Sequence, residues 1–134
     1  MMTVPQCNEA VPAGLEPHLH AEFLANRKVP RVGSVVVSET ERVRVWHIAL
    51  APGERLPFHR HVLNYFWTAT SPGRACSRYA DGRVAEVTYV PGDTRHYDFA
   101  AGDSMYHDLE NLGDSVLTFV TVEYLQSPNA PLAL

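Results

Sequence analysis

Residues 52–73 read PGERLPFHRHVLNYFWTATSPG, a run of β-forming residues around a His-x-His pair with a Pro-Gly turn signal at each end. In a β-strand, successive side chains point to opposite faces, so His59 and His61 share one face and Arg60 points away from both. Imidazole nitrogen binds zinc, iron, copper and nickel, and such an ion usually takes three or four protein ligands. The pair therefore supplies two ligands of a candidate metal site.

On both sides of this stretch, short β-rich runs alternate with turn signals, and no helical period recurs after Pro30. The Asp81-Gly82 pair predicts a tight type I′ hairpin turn, in which both central residues have positive φ. Many short strands at this spacing predict an all-β sandwich or barrel. The predicted strands cover residues 32–38, 42–50, 56–61, 64–70, 74–80, 83–90, 94–99, 104–110 and 115–125.

The first 30 residues have a different pattern. Their first part contains prolines and no periodicity, which predicts an extended arm that is either mobile or laid across a partner subunit. Apolar residues then recur at helical spacing until Pro30 stops the pattern, which predicts one short helix; they are Leu19, Phe23 and Leu24. We expect residues 1–30 to form this arm with its helix, and residues 31–134 to form a single β domain.

Composition excludes several classes of protein. The 134 residues suffice for one domain, and a net charge of −4 with 11 scattered Lys and Arg argues against nucleic acid or anionic membrane as a partner. No secretory signal or transmembrane-length run is present, so the expected location is the cytoplasm. Cys7 and Cys76 are not at metal or redox spacing, and we expect free thiols.

A third metal ligand is best supplied by His107. Alternation places it with Met105 and Leu109 on one face of its strand, and these apolar neighbours predict that this face points inward. An inward histidine must hydrogen-bond or bind something. A hydrogen-bonded core histidine is the competing interpretation for this residue taken alone.

The remaining polar residues give weaker signals. We expect His96 to lie outside the site, because Tyr97 and Phe99 take the inward face, and His47 to be structural. The residues expected at the solvated surface are His18, His20, Glu54, Arg60, Arg95, Asp98 and Glu110, of which Arg60 and Arg95 are also weaker candidates for binding an anionic substrate.

The pattern in these segments resembles the cupin superfamily. Its first motif is matched by Gly53, His59, His61 and Gly73, but the usual glutamate position is occupied by Phe66. The second motif is matched only at its end, by His107 and Asn111. The resemblance covers roughly residues 31–125, and within the superfamily the segments Arg-Leu-Pro-Phe-His-Arg-His and His-Asp-Leu-Glu-Asn are similar to small bacterial cupins named as beta-alanine degradation proteins.

The resemblance implies a jelly-roll barrel in which His59, His61 and His107 converge on a divalent metal: iron, zinc, nickel or manganese. Phe66 cannot bind a metal, so the site would have three neutral ligands and open positions. The expected register makes Asn64, Phe66, Thr68 and Met105 line the pocket. A slip by one residue would put Tyr65 in place of Phe66, and sequence leaves both registers open.

Three functions are compatible with this interpretation, and one of them is a purely structural or regulatory dimer. The first is a three-histidine, dioxygenase-like enzyme acting on a small polar metabolite in amine or amino-acid catabolism. The second is a binding or accessory protein that uses the pocket without metal or turnover. Residues 115–125 are apolar on both faces, with Val120 and Val122 on one and Leu117 and Phe119 on the other, which favours a homodimer that covers the outer face.

Overall fold

The computed structural model describes residues 3–134, which form one short helix and nine strands. A 3₁₀ turn, Pro17–Leu19, leads into helix α1, His20–Ala25. The strands are β1 Val35–Glu39, β2 Val43–Leu50, β3 Arg55–His61, β4 Tyr65–Ala69, β5 Gly73–Arg78, β6 Val84–Tyr89, β7 Thr94–Tyr97, β8 Met105–Asn111 and β9 Leu117–Tyr124. Each of the nine predicted strands is present, within a few residues at either end.

The strands form two antiparallel sheets that face each other as a jelly roll, which confirms the predicted fold class. The larger sheet has the order β1-β2-β9-β4-β7, and the smaller has the order β3-β8-β5-β6. One end of the space between them is filled by apolar side chains. This cluster consists of Ile48, Leu50, Leu56, Ala69, Ala75, Tyr89, Leu109, Leu117 and Phe119. The inward and outward faces of β9 alternate as predicted.

The β5–β6 hairpin closes at Asp81-Gly82, but the predicted turn type is wrong. Gly82 has φ of 90°, and no non-glycine residue among those described has positive φ, so Asp81 does not adopt the type I′ conformation. The Gly82 N–H donates to the carbonyl of Tyr79, and the Tyr79 N–H donates to the carbonyl of Arg83. This is the three-residue alternative, a type I turn followed by a glycine bulge.

The N-terminal segment, residues 3–30, covers the outer face of the smaller sheet. Phe23 of α1 is fully buried and packs edge-on against Phe58 and Tyr106, and the Tyr106 hydroxyl donates to the Phe23 carbonyl at 2.7 Å. Leu24 remains 47% exposed, so the helix buries a single narrow stripe. The sequence pattern allowed the helix to continue until Pro30, but the α-helix already ends at Ala25.

This covering corrects the expectation that Arg60 decorates the surface. Arg60 does point away from the histidines, but its side chain is buried beneath the N-terminal segment. Its guanidinium donates to the carbonyl of Arg27, to the Ser104 hydroxyl and, at 2.6 Å, to the Glu9 carboxylate. A buried guanidinium is tolerated here because each of its three nitrogens donates to an acceptor and one of these acceptors is a carboxylate.

A second ion network fastens the same segment to the sheet. Asp108 of β8 is completely buried, and its Oδ2 accepts from Arg55 at 2.8 Å and from Arg78 at 2.9 Å. The two arginines also pair with glutamates of the N-terminal segment, Arg55 with Glu22 and Arg78 with Glu16. Arg78 pairs with Glu110 as well, at 2.7 Å, so Glu110 is half-buried in this network and not solvated as expected. Three segment glutamates, counting Glu9, therefore hold the covering in place.

The outer face of the larger sheet has no such cover among residues 3–134. Its three central strands present no charged side chain on this face, which consists of Val43, Val45, His47, Ala49, Phe66, Thr68, Thr118, Val120, Val122 and Tyr124. Cross-strand pairing joins Val45, Val122 and Phe66 into one apolar row. In the described part of the chain, no helix has the length and apolarity needed to span a bilayer.

Candidate metal centre

Three histidines from two neighbouring strands meet between the sheets. His59 and His61 lie two residues apart on β3, and His107 on β8 is the direct cross-strand partner of His59. Direct partners on antiparallel strands share a face, so all three imidazoles point into the same space. One ring nitrogen from each histidine lies within 4.8 Å of those of the other two. The structure thus brings together the three residues that the sequence singled out.

The spacing of the Nε2 atoms fits a single ion. The Nε2 atoms of His59 and His61 are 3.2 Å apart, and those of His61 and His107 are 3.1 Å apart. Adjacent nitrogen ligands bound at about 2.0–2.2 Å in tetrahedral or octahedral geometry lie about 2.8–3.6 Å from each other. Both distances fall inside this range, and the ligand atoms of all three histidines lie within 4.8 Å of one another, so the cluster could hold one divalent metal.

Hydrogen bonding fixes the tautomer of one ring. The Nδ1–H of His59 donates to the Pro57 carbonyl at 2.7 Å, so the Nε2 of His59 carries the lone pair that points at the cluster. Neutral imidazoles can satisfy only one of the two short Nε2 contacts with a linear hydrogen bond, because His61 Nε2 carries at most one proton. A cation accepts all three lone pairs at once.

Burial keeps the three rings neutral. Loss of hydration lowers the pKa of His59 to about 4. It lowers the pKa of His61 and His107 well below the ordinary value of 6.5, and each of these shifts is increased by charge repulsion from neighbouring histidines. Neutral imidazole is the form that binds metal, so all three histidines can act as metal ligands at neutral pH.

Stacked aromatic rings hold the other two imidazoles. Tyr65 lies parallel to His61, with ring centroids 4.1 Å apart, and Tyr79 stacks on His107 with centroids 5.2 Å apart. The Nδ1 atoms of both histidines are buried without a hydrogen-bond partner. Stacking, rather than hydrogen bonding, therefore sets the orientation of these two rings.

The histidines form one wall of a cavity of about 300 Å³ between the sheets. Its other walls are largely aromatic and aliphatic, with few charged groups, which is typical of small-molecule sites. Its aromatic lining consists of Tyr65, Trp67, Tyr79, Tyr89, Tyr97 and Phe119, and its charged lining consists of Asp93 and Arg95.

None of the four residues predicted to line the pocket does so. Tyr65 and Trp67 line it in place of Phe66 and Thr68, because β4 pairs with β9 so that Tyr65 faces Glu123 and Trp67 faces Thr121. Phe66 packs outside the sheet against His96 and Tyr124. The other three residues also lie outside the lining. The Thr68 hydroxyl is hydrogen-bonded to that of Thr94 on the outer face, and the Asn64 side chain accepts a hydrogen bond from the Phe99 N–H. Met105 is the cross-strand partner of His61 at the end of β8.

The other histidines lie away from the cluster. His96 is exposed on the outer face, as predicted, whereas the expectation that His47 is structural is wrong, because it is also exposed there. His18 is exposed, whereas Nε2 of His20 is bonded to the Leu15 carbonyl at 2.8 Å.

Two buried carboxylates were missed at the sequence level. Asp108 lies on the outward face of β8 beneath the N-terminal segment, and Glu123 sits inside the barrel beside Tyr65 in the β4–β9 register. The Trp46 indole donates to Glu123 at 2.7 Å, and Arg44 lies 3.7 Å away. Burial raises the pKa of Glu123 to about 7 in spite of these two contacts. The available signal was alternation, since Glu123 shares the inward face of β9 with Leu117 and Phe119.

Comparison with solved structures shows the fold of cupin domains. A cupin domain from Bordetella pertussis Tohama I aligns with 72% of this chain and 95% of its own, at 22% identity and a TM-score of 0.59. An uncharacterized conserved protein with a double-stranded β-helix domain from Klebsiella pneumoniae subsp. pneumoniae MGH 78578 aligns with 72% of this chain and 74% of its own, at 28% identity and a TM-score of 0.52.

A cupin superfamily protein from Desulfitobacterium hafniense DCB-2 aligns more extensively, over 87% of this chain and 95% of its own, at 16% identity and a TM-score of 0.50. No family model and no curated protein matches this chain in sequence. Because one fold carries many functions, the activity must be argued from the site itself.

Proposed function

We propose that this cupin-fold chain binds one divalent metal through the Nε2 atoms of His59, His61 and His107, and that it acts there on a small metabolite as a dioxygenase-like enzyme. The observation that carries the proposal is the convergence of three buried, neutral imidazoles at ligand spacing on the wall of a cavity. Iron, zinc, nickel and manganese all suit imidazole nitrogen.

The chain's own residues would prepare the centre. The Pro57 carbonyl orients the His59 ring, and the stacked rings of Tyr65 and Tyr79 hold His61 and His107. The apolar end of the barrel excludes water on one side. A metal held by three neutral ligands keeps its full positive charge and open coordination positions, and so supplies Lewis acid or oxygen chemistry.

The dioxygenase assignment and a role in amine or amino-acid catabolism rest on the sequence resemblance, not on the cavity. Their test is oxygen consumption by metal-loaded protein with candidate thiols, amines and diketones. Uptake that depends on both substrate and the three histidines would support the assignment. Tight binding of a candidate without oxygen uptake would instead favour the accessory, non-catalytic alternative.

The metal itself is tested by elemental analysis of protein made without a His tag, at pH 7.5. We expect near-stoichiometric metal in the parent and little in His107→Ala. The matched control is His96→Ala, which removes an exposed imidazole on the outer face and should keep the metal. Equal metal in parent and His107→Ala, or none in the parent after reconstitution, would overturn the proposal.

We also propose a homodimer. The uncharged outer face of the larger sheet supports it, because the equivalent face of the smaller sheet is already covered by the chain's own N-terminal segment. A second copy of the chain, related by twofold symmetry, is the partner that presents an equally apolar row centred on Val122.

A further inference from the structure

A row of stacked side chains joins the histidine cluster to an arginine at the rim of the cavity. The His61 ring lies parallel to Tyr65, and Tyr65 lies parallel to Tyr97 with centroids 4.9 Å apart and 8° between planes. The guanidinium carbon of Arg95 stands 5.4 Å from the centroid of Tyr97. Arg95 both lines the cavity and is exposed, so it lies where the cavity opens.

A second row runs along the opposite wall. His107 stacks on Tyr79, and the guanidinium carbon of Arg83 lies 4.1 Å from the Tyr79 centroid. Arg83 belongs to the β5–β6 turn and is exposed. Cation–π contact holds each guanidinium over a ring while leaving most of its N–H donors available.

These two arginines differ from those in the ion networks. Arg55, Arg60 and Arg78 are each neutralised by carboxylates, whereas Arg83 and Arg95 have no ion pair among residues 3–134.

The only carboxylate lining the cavity in the described chain is Asp93. It is not within ion-pair distance of either arginine, and its Oδ2 already accepts the Val90 N–H at 2.9 Å. The opening is therefore electropositive.

The cavity wall limits the rest of the ligand. Six aromatic side chains and several aliphatic ones make up most of the sides, and the hydrogen-bonding groups among them are neutral, chiefly the hydroxyls of tyrosine, serine and threonine. A volume of about 300 Å³ equals that of roughly ten water molecules in the liquid, which is more than enough for a ligand of benzoate size. The body of the ligand is therefore small and mainly apolar, and a charged group fits only at the ends.

We infer that the natural ligand is a small monocarboxylate with an apolar or aromatic body. Its carboxylate is bound by Arg95 at the rim, with Arg83 adding positive potential, and its other end reaches the histidine cluster. Arginine suits this role because its planar guanidinium can donate two parallel hydrogen bonds to the two oxygens of a carboxylate. The inference names the substrate class of the proposed metal site. Binding of the carboxylate at the rim does not require a metal, whereas the role of the ligand's inner end at the histidine cluster rests on the proposed function.

The experiment is calorimetric titration with benzoate, benzamide and benzylamine, which share a ring and differ in charge. Each is titrated into zinc-loaded and into chelator-treated protein. We expect benzoate to bind at least about tenfold more tightly than the other two, because only an anion pairs with the rim arginines. Arg95→Gln should weaken benzoate binding about tenfold and Arg83→Gln by less, whereas Arg95→Lys should recover part of the loss.

The matched control is Arg42→Gln, which removes an exposed arginine that does not line the cavity and should leave benzoate binding unchanged. Equal binding of benzamide or benzylamine, or an unchanged affinity in Arg95→Gln, would overturn the inference. Benzoate binding that requires zinc but is unchanged in Arg95→Gln would also overturn the inference, while supporting the metal site. Arg95-dependent binding in a protein that takes up no metal would support the inference and reject the metalloenzyme.

Discussion

The imidazole of His61 and the phenol ring of Tyr65 lie face to face, 4.1 Å apart between centroids and 11° apart between planes. This contact places Tyr65 on the cavity side of β4, and consequently places Phe66 on the outer face. Phe66, which stands where the resemblance to cupins places a glutamate, therefore does not reach the histidine cluster, and Tyr65 supports one of the histidines instead.

The two neighbouring aromatics should differ in their contribution to stability. Tyr65 is 3% exposed, so Tyr65→Ala leaves a large void in the barrel and should lower the free energy of unfolding by about 3–5 kcal/mol. Phe66→Ala removes a half-buried ring from the outer face and should cost about 1 kcal/mol in the monomer. Urea denaturation of both variants measures the difference. The opposite ranking would show that β4 has the other register.

Glu123 should make stability depend on pH. Its pKa is raised by burial to about 7, against an ordinary 4.5, so between pH 4.5 and 7 the folded state holds a proton that the unfolded state has lost. The contribution of Glu123 to stability therefore falls as pH rises through this window and is constant above it.

Glu123→Gln removes this titration and still offers an oxygen to the Trp46 indole. Relative to the parent, the variant should gain about 1–3 kcal/mol in the free energy of unfolding between pH 4.5 and 8. The histidines titrate equally in both proteins, so the difference isolates Glu123. If the free energies of unfolding of the parent and the variant differ by the same amount at every pH in this range, the raised pKa of Glu123 is contradicted.

Arg60 should be essential for holding the N-terminal segment on the sheet. Arg60→Ala leaves the Glu9 carboxylate and two other acceptors without their donor, and should lower the free energy of unfolding by about 3 kcal/mol. The control is Arg74→Ala, which breaks a surface pair with Glu86 and should change stability by about 0.5 kcal/mol or less. Chemical denaturation compares them, and similar losses would mean that the burial of Arg60 is unimportant.

The proposed dimer should be sensitive to a charge in the apolar row. Val122→Glu places a carboxylate between Val45 and Phe66, and should convert a dimer to a monomer because an unpaired charge cannot be buried in an interface. Val84→Glu, on the exposed edge strand of the smaller sheet, should leave the dimer intact. Light scattering coupled to size exclusion measures both masses. A monomeric parent would reject the dimer.

Local sequence was sufficient to predict much of this protein. Pro-Gly and Asp-Gly pairs separate runs of β-forming residues clearly enough to locate all nine strands. The two-residue period places His59 and His61 on one face, and the apolar neighbours of His107 indicate its inward direction. These features depend on neighbours along the chain, and a strand keeps its alternation in any context.

Tertiary structure decided which of two alternating faces is buried, and how deeply. Tyr65 rather than Phe66 faces the cavity because β4 pairs with β9 in one register, and pairing between distant strands is not encoded in either strand alone. Arg60 and Asp108 are buried because the N-terminal segment folds back over the smaller sheet, so their outward direction does not mean exposure. Alternation gives the relative orientation of side chains, whereas burial depends on the layers that pack against each face.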